Sequence, residues 1–240
     1  MTLLKPAKES VGQVYAKIGI YGEAGSGKTY TATKLSIGLH KLIKSQKPVA
    51  FMDTETGSDF TKILFQKEGI ELLVAKQRSF ESLLTIIREA KQMTDILIID
   101  SVTHPYQDMM ESYMKKTEKK RLAFQDWNIL KPMFRQFTDL YLIAPFHIIV
   151  CGRSQGIWDY FENDEGKMEL YQKGTKMKVE KEMGYEPSLL VEMVKDYDEK
   201  KVSWVHKARF LKDRNPDPAT TLDGKEVDDP TFETFLPHLR

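Results

Sequence analysis

The chain has 240 residues, 41% of them hydrophobic and 30% charged, with a formal net charge of +1. That length and hydrophobic content allow one substantial α/β core, while the balanced charge means that any nucleic-acid binding must come from local patches. The single cysteine, Cys151, excludes an intramolecular disulfide framework, no apolar run approaches the roughly 18 residues of a membrane span, and no signal-peptide pattern opens the chain, so a cytoplasmic protein is expected.

The first apolar run, "KIGIY" at 17–21, reads as a strand, and "GEAGSGKT" follows it directly. These residues fit G-x-x-x-x-G-K-[ST] at every position, with the strand before and a helix after that the motif requires. Glycines permit backbone angles that turn successive N–H groups toward phosphate oxygens. Gly22, Glu23, Ala24, Gly25, Ser26, Gly27, Lys28, Thr29 and Tyr30 are therefore the expected cradle for the phosphates of a nucleotide. Lys28 is placed to reach the β- and γ-phosphates and Thr29 to put its hydroxyl on Mg²⁺. The helix expected over 28–43 directs its positive N-terminal end at the same charge.

A second strand, "PVAFMD" at 48–53, runs into "TETGSDF", which puts Asp53 and Glu55 at a strand end. Hydrolysis needs a group that orients or deprotonates water, and Glu55 is the candidate base. "ELLVAK" (71–76) is a third strand and 80–93 a helix; "DILIID" (95–100) is a fourth strand, ending in Asp100. A P-loop needs a carboxylate at the end of a neighbouring strand for the magnesium shell, and Asp100 fills that place. The stretch "YMKKTEKKRLAFQDW" then gathers Lys115, Lys116, Lys119, Lys120 and Arg121, with Glu118 the one acid among them. Such a run can neutralise phosphates or can simply be a solvated face.

A helix is expected over 126–142, and "FHIIVCG" (146–152) is a buried strand in which Cys151 reads as core. Residues 154–186 mix Trp158, Tyr160, Phe161, Tyr171 and Tyr185 with Lys173, Lys176 and Lys178, but acids such as Glu162, Asp164, Glu165, Glu169, Glu180 and Glu182 dilute the charge; the expectation is a mobile insertion able to contact DNA. "SLLVEMVKD" (188–196) and "KVSWVHKARFLKD" (201–213) flank the turn "YDEK" as an antiparallel hairpin. Strands alternating with helices predict an α/β fold: a mostly parallel sheet flanked by helices, with this hairpin at its C-terminal end. One domain over 1–240 is expected, with its core at about 14–215 and a Pro- and Asp-rich surface tail from 216 that holds a short helix or turn.

The order "GEAGSGKT", "AFMDTETGSDF", "ILIIDS", "HIIVCGRSQ" resembles the ATPase core of RecA-type recombinases and DnaB-type hexameric helicases. The resemblance implies a RecA-like fold, with Glu55 as the catalytic glutamate, Asp100 as the Mg²⁺-associated carboxylate, and a γ-phosphate sensor at the end of "IIVCGR". The sensor is usually glutamine; here Arg153 stands in the aligned place and Gln155 lies two residues on. In such rings a strand ending in two cations spaced one apart reaches a neighbour's ATP site, and Lys212 and Arg214 in "FLKDR" match that spacing. The compact chain looks most like phage-encoded RecA-like nucleotide-binding proteins, some of which are single-strand annealing recombinases. A homo-oligomeric ring or filament and single-stranded DNA are the implied partners. Two alternatives stay open: an ATPase that remodels or loads a protein partner, and a small-molecule kinase.

Overall fold

The computed structural model describes residues 14–200 and 202–239. The first 13 positions of the expected single domain, Arg240, and Lys201, where the second hairpin strand is expected to begin, lie outside them. In chain order the elements are β1 (Lys17–Gly22), α1 (Lys28–Leu42), β2 (Val49–Asp53), α2 (Gly57–Lys67), β3 (Leu72–Ala75), α3 (Phe80–Met93), β4 (Ile96–Asp100), α4 (Thr103–Lys116), α5 (Trp127–Ile143), β5 (His147–Glu162), β6 (Met168–Met177), β7 (Leu189–Asp198), β8 (Ser203–Asp213), β9 (Glu226–Asp228) and α6 (Phe232–Leu239).

The described strands join in the order β3-β2-β4-β5-β1-β7-β8-β9, with β6 paired to the far part of β5. From β3 to β7 neighbours are parallel; β8 and β9 are antiparallel. The central strands are apolar along their whole length because each buries both faces. Leu97 and Ile99 of β4 and Ile148 and Val150 of β5 join Phe134, Phe137 and Tyr141 on one side. Ile96, Ile98, Ile149 and Cys151 join Leu35, Phe65 and Phe235 on the other. Cys151 is thus a core side chain, and burial pushes its thiol well above the usual range.

Two regions differ from the sequence expectation. β5 does not stop at Gly152: it runs on for ten more residues and pairs with β6 as a two-stranded ribbon. The insertion expected as mobile is therefore a paired hairpin, with one register shift between Ile157 and Trp158, held by backbone bonds that its mixed composition does not advertise. The tail from 216 is not only surface. Phe235 of α6 is buried, and Gly38 of α1 is so close to Phe232 that a Cβ there would stand 2.2 Å from the ring. A small residue in α1 is what lets α6 lie on it.

At the N-terminal edge of the sheet, polar side chains lock elements together. The Nζ of buried Lys17 donates to the Ala144 and Phe146 carbonyls at 2.8 and 2.7 Å, and His147 Nδ1 accepts from the Ala16 N–H at 3.0 Å. His238 of α6 bridges Asp213 Oδ1 at 2.6 Å and Ser188 Oγ at 2.9 Å. Ser188 also bonds both the N–H and the carbonyl of Lys17. The Ser–His–Asp series latches α6 to β1 and β8.

Candidate functional site at the C-terminal edge of the sheet

The loop from Gly22 to Gly27 leaves β1 at the centre of the sheet and enters α1. Gly25 and Gly27 have φ of 74° and 94°, the left-handed region that favours glycine. Gly22 is required by closeness: a Cβ there would lie 2.1 Å from the Met193 carbonyl of β7. The first N–H groups of α1 have no partner within the helix and converge with the helix dipole on the loop mouth. The Nζ of Lys28 arches back over the loop to the Glu23 carbonyl at 2.7 Å. A cleft of about 590 Å³ runs along the loop past Lys28, Thr29, Tyr30 and Glu55.

The second part of the site comes from β4, two strands from β1. Thr29 Oγ1 donates to Asp100 Oδ2, and Gly57, opening α2, approaches both residues so closely that a Cβ would meet Thr29 Cγ2 at 2.9 Å. Burial pushes the Asp100 carboxyl up to about 6, against the pull of the Thr29 hydroxyl. A hydroxyl and a carboxylate beside an anion cradle form the oxygen donor set that suits Mg²⁺, which is held by one or two protein oxygens plus substrate phosphates. The residues present therefore fit the metal, whose chemistry there is to neutralise phosphate charge.

The third part is the turn after β2. Asp53 is fully engaged in building it: its carboxylate accepts from the N–H groups of Glu55, Gly57 and Ser58 and from the Ser58 hydroxyl. Against burial, which raises it, those hydrogen bonds hold Asp53 below the usual carboxylate range. Glu55 projects from this turn and is partly exposed. Its Oε1 accepts from Arg153 Nε at 2.9 Å and Ser101 Oγ at 3.1 Å. Burial raises the Glu55 carboxyl, and the hydrogen bond and charge of Arg153 outweigh it, so the group stays ionised below its ordinary value.

Arg153 and Gln155 are separated by the structure. Arg153 lies on Glu55, whereas Gln155 lines a different cleft, of about 430 Å³, between α4, α5 and the root of the ribbon. Lys212 and Arg214 are far from their own loop. His206 of β8 touches the loop, its Nε2 3.2 Å from the Gly25 carbonyl, and Lys212 lies six residues further along the strand, roughly 20 Å at strand rise. There both cations donate to one acceptor, the Tyr185 carbonyl, at 2.5 and 2.8 Å.

In the basic run, Lys115 and Lys116 sit in the last turn of α4, where cations complement the helix dipole; they, Lys120 and Arg121 are exposed. Lys119 is not a free cation. It is bound to Asp126, which is buried and also accepts from Tyr113. Counting Glu118 as the one acid of the cluster overlooks this partner, which follows the run in sequence, after Phe124 and Gln125. Sequence reasoning gives Ser101 no role, although it closes the motif "ILIIDS", and misses His104 and His206, which belong to no motif; only the position of His104 just after Asp100 hints at a role.

An anion cradle at the end of one parallel strand, with ionised carboxylates gathered from two others, makes the molecule a P-loop ATPase of RecA-like build. The family model described as AAA domain (AAA_24) matches residues 15–221, and the chain belongs to that family. Over 96 residues it is 31% identical to the DNA repair and recombination protein RadB of Methanococcoides burtonii, a match covering 36% of this chain and 41% of RadB. The chain thus spans about two fifths of the length of that curated relative. Its fold is similar to the solved KaiC-like protein PH0186 of Pyrococcus horikoshii, with a TM-score of 0.51 and 15% identity over 89% of this chain and 88% of that one. No helix among the described residues is long and apolar enough to cross a membrane.

Proposed function

We propose that the chain hydrolyses ATP with Mg²⁺ as part of a homo-oligomer acting on single-stranded DNA, in recombination or strand annealing of the phage type. Lys28 and the loop N–H groups bind the phosphates, Thr29 and Asp100 hold Mg²⁺, and Glu55 takes the proton of the attacking water. Arg153 senses the γ-phosphate. Lys212 and Arg214, remote from their own loop, serve the site of a neighbouring subunit, where two cations stabilise charge developing on the transferred phosphoryl group.

The observation that carries the DNA assignment is the cleft between α4, α5 and the ribbon. Four exposed lysines, Lys131, Lys176, Lys178 and Lys181, ring it together with Trp127, and it reaches Gln155, two residues from Arg153. Cations beside an aromatic face suit a single strand, whose phosphates they neutralise and whose bases can stack. Lys115, Lys116, Lys120 and Arg121, at the end of α4 and in the segment after it, are exposed as well, and Phe124 in that segment is 93% exposed. The test is ATPase rate and oligomeric mass with and without single-stranded DNA. Stimulation that falls steeply with salt, and weakens when Lys176 and Lys178 become Ala, supports the assignment.

A second reading has its own observation. One face of the ribbon exposes Trp158, Tyr160, Met168 and Leu170, each more than half accessible, with Glu162, Asp164 and Glu165 at the tip. That face suits a protein partner. Unstimulated ATPase with DNA and loss of partner binding on Trp158→Ala would favour a remodelling ATPase.

A further inference from the structure

We infer that His104 is a positioning residue for Glu55, with its working tautomer set by Thr54; the inference rests on the reading of Glu55 as the base. His104 lies in the first turn of α4, just past the end of β4, and is 6% exposed. The Ser101 N–H donates to Thr54 Oγ1 at 2.8 Å. The Thr54 hydroxyl then has its own proton to place, and His104 Nδ1 at 2.7 Å is a far closer acceptor than the Ser101 carbonyl at 3.4 Å. Nδ1 is therefore the accepting nitrogen and the ring proton sits on Nε2. That atom faces Glu55 Oε1 at 3.6 Å.

Arg153, Ser101 and His104 all address the same carboxylate oxygen. The other oxygen of Glu55 is thereby the one presented to a water proton. The three partners differ in firmness. Arg153 is half exposed and stands where β5 leaves the sheet to become the ribbon, and its charge lowers the basicity it orients. His104 is buried and tied to the β2 turn through Thr54. When Arg153 turns to a phosphate, Ser101 and His104 are what keep Glu55 aimed, and a closing of a few tenths of an ångström brings Nε2–H into full hydrogen-bond range.

The test is steady-state kinetics of the 240-residue chain carrying His104→Asn, His104→Gln or Thr54→Val, with Glu55→Gln as reference. Asn supplies polar atoms only near Nδ1; Gln puts an amide N–H near the place of Nε2. His104→Asn is expected to lower kcat about 10- to 100-fold with KM changed less than about twofold. His104→Gln should recover most of that loss, and Thr54→Val should lower kcat with the histidine intact. A wild-type kcat in His104→Asn, or equal impairment of the Asn and Gln variants, overturns the inference. Normal hydrolysis by Glu55→Gln would instead overturn the reading of Glu55, so the two failures are distinguishable.

Discussion

The two edges of the parallel sheet use the same kinds of side chain to opposite ends. At the N-terminal edge Asp213, His238, Ser188 and Lys17 bond one another and backbone groups of neighbouring elements. At the C-terminal edge Lys28 folds back over the glycine loop and Asp100 meets Thr29 beside it, while Arg153, Ser101 and His104 address one oxygen of Glu55 and leave the other clear. Asp213–His238–Ser188 has the bonding order of a nucleophilic triad, yet its serine is fastened to both backbone groups of Lys17, so it acts as a clasp. What distinguishes a catalytic cluster from a structural one here is which atoms are left for a substrate.

If that comparison holds, variants at the C-terminal edge change activity and leave folding nearly intact, while those at the N-terminal edge do the reverse. The largest effect is expected from Lys28→Ala, which removes the loop's cation. ATP binding and turnover should fall to background in a nucleotide-binding assay while the thermal midpoint stays near wild type. Arg214→Ala is the instructive exception, a residue of the stabilising edge with a proposed role in a neighbour's site. It should bind ATP normally and lose about 10³-fold in turnover. Mixing it with Glu55→Gln subunits should restore part of the activity, because some interfaces then combine an intact Glu55 with an intact Arg214.

Stability effects come next. Phe235→Ala should cost about 3–5 kcal/mol in denaturant unfolding, because the ring is buried against Phe210 beneath α6. His238→Ala, which leaves buried Asp213 without its imidazole, should cost about 1–3 kcal/mol with kcat unchanged. The smallest effect is a change in pH dependence. Burial pulls His147 down to about 4 from an ordinary 6.5. Between those values the unfolded chain binds the proton and the folded one does not, so stability falls as pH falls through that window. His147→Asn keeps an acceptor for the Ala16 N–H and removes the titration, so the thermal midpoint should depend less on pH between 6.5 and 4. Lys17, brought down to about 7 from 10.5 by burial, acts in the alkaline range, where stability should rise with pH between those values.

The core strands and their helices were legible because continuous apolar runs such as "ILIID" and "HIIVC" have one economical use, burial on both faces of a parallel sheet. The glycine loop was legible for a related reason: its spacing answers a single geometric demand. The ribbon was not, since Trp158 to Tyr171 alternate too irregularly and carry too many acids to look like paired strands. Nor was the joining of the tail to the core, which depends on Gly38 meeting Phe232 across 194 positions of sequence. The pairing of Arg153 with Glu55 and the placing of His104 behind it depend on three-dimensional proximity between β2, β4 and β5 that no local pattern records. Lys119 shows the converse, a residue whose charge was visible and whose partner was not.

The most direct measurement of the central claim, that the C-terminal edge is a hydrolytic site with Glu55 as its base, is single-turnover hydrolysis by Glu55→Gln alongside its ATP affinity. The amide keeps the shape and an oxygen to accept from Ser101 Oγ, and loses the basicity. The account predicts ATP bound with near wild-type affinity and held without turnover, with Mg²⁺ present. Hydrolysis at the wild-type rate in that variant would contradict it and move the catalytic carboxylate elsewhere.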